Sequence, residues 1–124
     1  MAEELKALYL LTGSDRPKIE RALRRLRDRF DADGVELLAA HDTSGADAVA
    51  ASNSLGLFGN ERLVVVEEVE RWKAEDAKAV SAYAADPTPG VVLALVAGEL
   101  RKDSALLKAV AKTGEVLVLS LIHI

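Results

Sequence analysis

The sequence predicts an α/β protein, a three-layer parallel sheet with flanking helices, and three observations lead there. Several short runs are apolar at every position instead of alternating, as strands buried on both faces are. Helical patterns fill the gaps between those runs, so strand and helix alternate along the chain, the order from which right-handed crossovers build a parallel sheet. The 124 residues, 50% hydrophobic and 29% charged, are enough for one core and too few for two ordinary domains.

The elements follow in chain order. Ala7–Leu11 reads as a strand ending at Thr12-Gly13. Ile19, Leu23, Leu26 and Phe30 recur at helical spacing behind Pro17, which suits a first helical turn, and Ser14 or Asp15 is placed to cap that helix. Val35–Ala40 is a weaker strand, short of β-branched residues, and an Ala-rich helix is expected over Asp47–Ser52. Leu63–Val66 is a Val-rich strand. Ala77, Val80 and Ala84 mark the next helix, which Asp86-Pro87-Thr88-Pro89-Gly90 stops. Val91–Ala97 is an almost wholly apolar strand. Leu106, Leu107 and Val110 mark a last helix with Gly114 in a C-cap position, and Val116–Val118 begins a fifth strand.

Composition excludes several function classes. The formal net charge is −4, so the chain lacks the overall basic footprint of a nucleic-acid reader. With no cysteine there is no disulfide, thiolate metal site or cysteine nucleophile, which fits a cytoplasmic protein. The apolar runs are strand-length and far short of a membrane span, and the acidic start Met1-Ala2-Glu3-Glu4 is unlike a signal peptide. Neither a catalytic triad nor a metal-ligand spacing is present, and no cofactor is implied. His41 follows a strand end and is expected to face solvent or cap a turn, while Trp72 is expected to pack at a helix start. Arg21, Arg24, Arg25, Arg27 and Arg29 read most simply as the solvated face of the first helix, partnered by Glu20 and Asp28, with a partner-binding or phosphate-contacting role as the alternative.

Two stretches invite a chemical reading. Gly13-Ser14-Asp15-Arg16-Pro17-Lys18 follows a strand and opens a helix, as a phosphate-binding loop does. Such a loop needs G-x-x-x-x-G-K-[ST], whose backbone N–H groups and lysine wrap phosphates and whose hydroxyl holds a metal. The second glycine is absent here, Lys18 is followed by Ile19, and Asp15 repels phosphate. Leu63-Val64-Val65-Val66-Glu67-Glu68 resembles the carboxylate-ended strand that accompanies such a loop, and without the loop it has nothing to hold. A receiver domain of similar length would need an acidic pair after the first strand, where Thr12-Gly13 stands instead. The second stretch is Asn53-Ser54-Leu55-Gly56-Leu57-Phe58-Gly59, in which glycines bracket a Leu-Phe pair. By composition alone such a pair is more often tucked into the core than pushed outward.

The hexapeptide Leu119-Ser120-Leu121-Ile122-His123-Ile124 is what one frame of a common transposon sequencing adaptor encodes. The domain is therefore expected to occupy residues 1–118, with 119–124 an adaptor-encoded tail.

Four motifs together resemble the N-terminal domain of the DNA polymerase III delta subunit family, a bacterial clamp-loader component. They are Leu8-Tyr9-Leu10-Leu11-Thr12-Gly13-Ser14-Asp15 before the Arg-rich helix, and Leu57-Phe58-Gly59-Asn60-Glu61-Arg62-Leu63-Val64-Val65-Val66. The others are Trp72-Lys73 with a helix reaching Tyr83 and then Asp86-Pro87-Thr88-Pro89, and Val91–Val96 with Leu100-Arg101-Lys102 and Gly114-Glu115-Val116. The resemblance covers residues 5–118 and implies a P-loop-NTPase/AAA+-like domain that lacks a functional nucleotide site and is no enzyme by itself. It also implies that Leu57 and Phe58, with Leu55, plug a hydrophobic pocket on the sliding clamp (the beta subunit) and help open it. Asn53, shorter than the glutamine-like residue expected, begins that element, and Gly56 replaces a small polar residue. The implied partners of a full-length protein are the other clamp-loader subunits, gamma/tau and delta prime, and primed DNA. A degenerate P-loop ATPase and a receiver-like signalling domain remain the competing readings.

Overall fold

The computed structural model describes residues 5–55 and 61–120. It contains five strands, β1 (Leu8–Thr12), β2 (Val35–Ala39), β3 (Arg62–Glu67), β4 (Val91–Val96) and β5 (Glu115–Val118). Four α-helices join them in strict alternation: α1 (Arg16–Arg27), α2 (Gly45–Leu55), α3 (Ala74–Ala85) and α4 (Ala105–Thr113). Short 3₁₀ turns precede β2 at Ala32–Gly34 and α3 at Val69–Arg71. All pairings are parallel, and the order across the sheet is β2-β3-β4-β1-β5.

That order dictates the layers. The chain leaves β1 and passes β4 and β3 to reach the β2 edge; every later connection moves back the other way. Because parallel crossovers are right-handed, α1 must lie on one face and α2, α3 and α4 on the other. The core divides accordingly. On one face Ile19, Leu23 and Leu26 of α1 pack with Tyr9, Leu11, Leu63, Val65, Val92, Ala94 and Val96. On the opposite face Ala48, Ala77, Val80, Tyr83, Leu106 and Val110 pack with Leu8, Leu10, Val64, Val66, Leu93 and Leu95. Each fully buried Leu or Val contributes about 1.5–3 kcal/mol relative to exposure, so both layers are needed.

Position in the sheet explains the sequence patterns. β4 lies in the middle and all six of its residues are buried, as are the four inner residues of β3. β2 is an edge strand whose Leu37 is 56% exposed, which is why its pattern was the least strand-like of the first four. Strand limits differ from the sequence reading by a residue or so, as assignments at fraying ends do. Phe30 lies beyond the end of α1, in a turn closed by its own N–H on the Arg27 carbonyl, yet still packs against the α1 core.

α2 extends beyond Asp47–Ser52 at both ends. At its start Ser44 Oγ accepts from the Asp47 N–H at 3.0 Å while an Asp47 carboxylate oxygen accepts from the Ser44 N–H at 3.3 Å, a reciprocal cap. The Asp76 carboxylate then ties two helix starts together, accepting from Gly45 N at 2.8 Å and from Lys73 N at 2.9 Å. Gly114 does occupy the C-cap of α4, but at φ −118° it is not left-handed. Its small size matters instead, since a Cβ there would lie 2.2 Å from the Leu8 carbonyl oxygen of β1.

Candidate functional site

Every strand runs the same way, so the β-to-α loops gather at one end of the sheet and the α-to-β loops at the other. The residues singled out by sequence divide between these two ends.

At the first end lies the loop 13–18. Asp15 is the N-cap of α1: its Oδ1 accepts from the Lys18 N–H at 3.1 Å, so the structure selects it over Ser14. Gly13 sits at φ +139°, and a Cβ on it would fall 2.0 Å from the Leu119 carbonyl oxygen. The loop backbone is engaged by Leu119, which donates to the Thr12 carbonyl at 2.7 Å and accepts from Asp15 N at 3.0 Å. Leu119, assigned by sequence to the tail, thus continues the β1–β5 ladder through backbone atoms that any residue possesses. Lys18 Nζ lies 3.8 Å from Asp15 Oδ2 and donates to the Ser120 carbonyl at 3.3 Å. Arg16 bridges Glu67 at 2.8 Å and Glu20 at 3.0 Å, which neutralises the carboxylate at the end of β3. The Thr12 hydroxyl donates to the Gly98 carbonyl. An anion approaching α1 here meets a resident carboxylate on the amides that would otherwise receive it.

Nearby, His41 is exposed, with Nδ1 3.3 Å from Glu68 Oε2 and Nε2 3.8 Å from Asp42. Glu68, at φ 64°, also lies 3.6 Å from Arg71 Nε. Among the described residues no group of three or more His, Cys, Asp or Glu side chains could hold a metal ion. Trp72 packs against the three-helix core and donates from Nε1 to the Thr43 carbonyl at 2.8 Å, a structural placement. Arg21, Arg24, Arg25 and Arg27 are exposed and make no ion pair among the described residues; Arg29 is exposed as well. No helix among the described residues is long and apolar enough to cross a membrane.

At the opposite end α2 stops at Leu55 and β3 starts at Arg62. Leu57 and Phe58 lie outside the described residues. Asn53 is exposed near the end of α2, and its Oδ1 accepts from the Thr88 hydroxyl at 2.6 Å. Arg62 N donates to the Gly90 carbonyl at 2.9 Å, and Arg62 Nη1 to the Asp33 carbonyl at 2.8 Å. The turn 86–90 therefore touches the chain on both sides of the stretch that carries the Leu-Phe pair. Sequence reasoning saw Pro87-Thr88-Pro89-Gly90 as a helix stop and part of a family motif, and gave it no part in the site. The partnership of Thr88 with Asn53 spans 35 residues and leaves no local signal.

The comparisons agree with this architecture. The DNA clamp loader delta protein of Bacillus subtilis superposes with a TM-score of 0.81 at 18% identity, over 96% of this chain and 40% of that one. A DNA polymerase III gamma subunit-related protein of Thermotoga maritima superposes with a TM-score of 0.64 at 17% identity, over 94% of this chain and 42% of that one. At such identities the likeness establishes the fold alone, a parallel sheet with flanking helices. The chain spans about two fifths of the length of both structures. No curated protein matches it at the sequence level. The family model described as DNA polymerase III, delta subunit, matches residues 9–120, almost the whole chain, and on that match the chain belongs to the DNA polymerase III delta subunit family.

Proposed function

We propose that this chain is the clamp-engaging domain of a clamp-loader subunit, and that it binds a sliding clamp without catalysing a reaction. The observation that carries the reading is the family match over residues 9–120, which spans the α2–β3 connection and its Leu57-Phe58 pair. Leu57 and Phe58 enter an apolar pocket on the clamp, Leu55 adds a third apolar contact, and Asn53 opens the element. In a longer protein the other loader subunits, gamma/tau and delta prime, and primed DNA complete the assembly in the cytoplasm. The domain promotes opening by binding the open ring more tightly than the closed one, since a ligand shifts an equilibrium only by its differential affinity.

The loop 13–18 supports the non-catalytic part of this reading. Its lysine and the β3 carboxylate are engaged with other groups of the chain, and Asp15 holds the start of α1. Saturable ATP binding by the folded chain would overturn it in favour of a degenerate ATPase.

The test of clamp binding is the double variant Leu57→Ala with Phe58→Ala. Losing two buried anchors at about 1.5–3 kcal/mol each weakens clamp affinity by roughly two to four decades. Titration of fluorescently labelled clamp with wild type and variant measures it. An unchanged dissociation constant in a variant with native circular dichroism rejects the assignment.

A further inference from the structure

We infer that the turn Pro87-Thr88-Pro89-Gly90 is the positioning platform of the clamp-binding element, with Thr88 holding Asn53 in place. The inference rests on the function proposed above and assigns Asn53 a role different from contact with the clamp. Asn53 and Arg62 flank the Leu-Phe stretch, and the same turn holds both. Thr88 Oγ1 donates to Asn53 Oδ1 at 2.6 Å, and the Gly90 carbonyl accepts from Arg62 N at 2.9 Å.

The turn is itself anchored. The Thr88 N–H donates to the Tyr83 hydroxyl at 3.2 Å, and Tyr83 is 5% exposed in the three-helix core. Val91 N donates back to the Thr88 carbonyl at 3.3 Å, which closes the turn into the central strand. Prolines on both sides of Thr88 fix two φ angles, and Gly90 takes the φ of +81° that the entry to β4 requires. A short rigid turn thus runs from the core to both flanks of the element.

The consequence is preorganisation. A segment whose ends are already held loses less freedom when a partner captures it, and affinity rises without a new contact. Asn53 is exposed and Thr88 half-buried, so their hydrogen bond adds little to global stability. Its effect falls on the end of α2. Asn53 is accordingly a positioning residue.

The test compares Thr88→Val, Thr88→Ser, Asn53→Ala and the double variant Asn53→Ala/Thr88→Val in the full chain. Thr88→Val, which keeps shape and removes the hydroxyl, lowers clamp affinity about three- to tenfold with the urea midpoint unmoved, and Thr88→Ser restores it. Asn53→Ala removes the acceptor and reproduces the loss, and the double variant is no weaker than either single one. Fully additive losses would mean that Asn53 touches the clamp on its own account and would overturn the assignment. Amide hydrogen exchange supplies a readout that needs no clamp. Peptides covering residues 50–63 exchange faster in Thr88→Val and Asn53→Ala and at the wild-type rate in Thr88→Ser. Unchanged exchange in both loss variants rejects the platform. Clamp binding absent from the wild type rejects the proposed function, while exchange still decides the platform.

Discussion

Gly114→Ala is the substitution whose cost follows most directly from the structure. Gly114 ends α4 and leads into β5, beside β1. Its φ of −118° suits alanine, so backbone strain is not the issue. The added methyl would sit 2.2 Å from the Leu8 carbonyl oxygen and 2.9 Å from both the Leu8 carbonyl carbon and its Cβ. A carbon and a carbonyl oxygen need more than 3 Å, so the α4–β5 junction must move off β1 by roughly an ångström, in a strand pair otherwise in register from Tyr9 to Thr12. Leu8 is 1% exposed and cannot yield outward. Overpacking of this kind costs about 1–3 kcal/mol. For a chain of this length each kilocalorie lowers the melting temperature by about 4 °C, so a fall of roughly 4–12 °C is expected. Gly90→Ala is the control, because at φ +81° it meets no atom within 4 Å and loses only about 1–2 kcal/mol of left-handed backbone preference. Urea unfolding followed by Trp72 fluorescence, with calorimetry, measures both. A Gly114→Ala protein as stable as wild type would refute the steric reading and imply that β5 packs less closely on β1.

Two further outcomes follow from the same geometry. Asp76→Ala strips the acceptor from both Gly45 N and Lys73 N and should lower stability by about 1–3 kcal/mol, with Asp76→Asn recovering part of it in urea unfolding. Arg21→Ala with Arg24→Ala removes exposed charges that make no ion pair among the described residues, and should shift stability by less than about 0.5 kcal/mol in the same assay.

Legibility in the sequence tracks burial. β4 and β3 were plain because central parallel strands must be apolar at successive positions, and Val91–Val96 and Leu63–Val66 are. β2 was faint because an edge strand with Leu37 and Glu36 exposed obeys no such rule. The ends of α2 were underread although Ser44 and Asp47 stand at capping-box spacing, since aspartate replaces the usual glutamate or glutamine. Gly114 was placed correctly, yet its reason, the carbonyl of Leu8, lies at the far end of the chain. The same blindness to distant partners hid Thr88 beside Asn53 and Asp76 beside Gly45. Leu57 and Phe58 rest on the family resemblance alone, because by composition a Leu-Phe pair in a loop is more often buried than displayed.

The two ends of the sheet use their polar groups differently. In a phosphate-binding loop the amides at a helix start, a lysine and a strand-end carboxylate all wait for a ligand. Here each is committed within the chain. Asp15 accepts from the Lys18 amide, Lys18 reaches Asp15 and Ser120, Glu67 pairs with Arg16, and the Leu119 backbone fills the space over Gly13. For a phosphate to enter, it would have to displace a carboxylate from its own cap, break an Arg16–Glu67 pair and detach a backbone ladder residue. A helix cap alone is worth about 0.5–2 kcal/mol. None of these obstacles is absolute, but they act together, and no single substitution removes them. Asp15→Ala should therefore lower stability without creating nucleotide affinity, measurable by urea unfolding and by isothermal titration with ATP and magnesium. At the opposite end the described polar groups are also paired, Asn53 with Thr88 and Arg62 with Gly90 and Asp33, but these pairs brace the flanks of a connection and fill no ligand-binding loop. The Pro87–Gly90 turn holds Asn53 and Arg62 on either side of the α2–β3 connection, so the sequence between them can vary without disturbing the core.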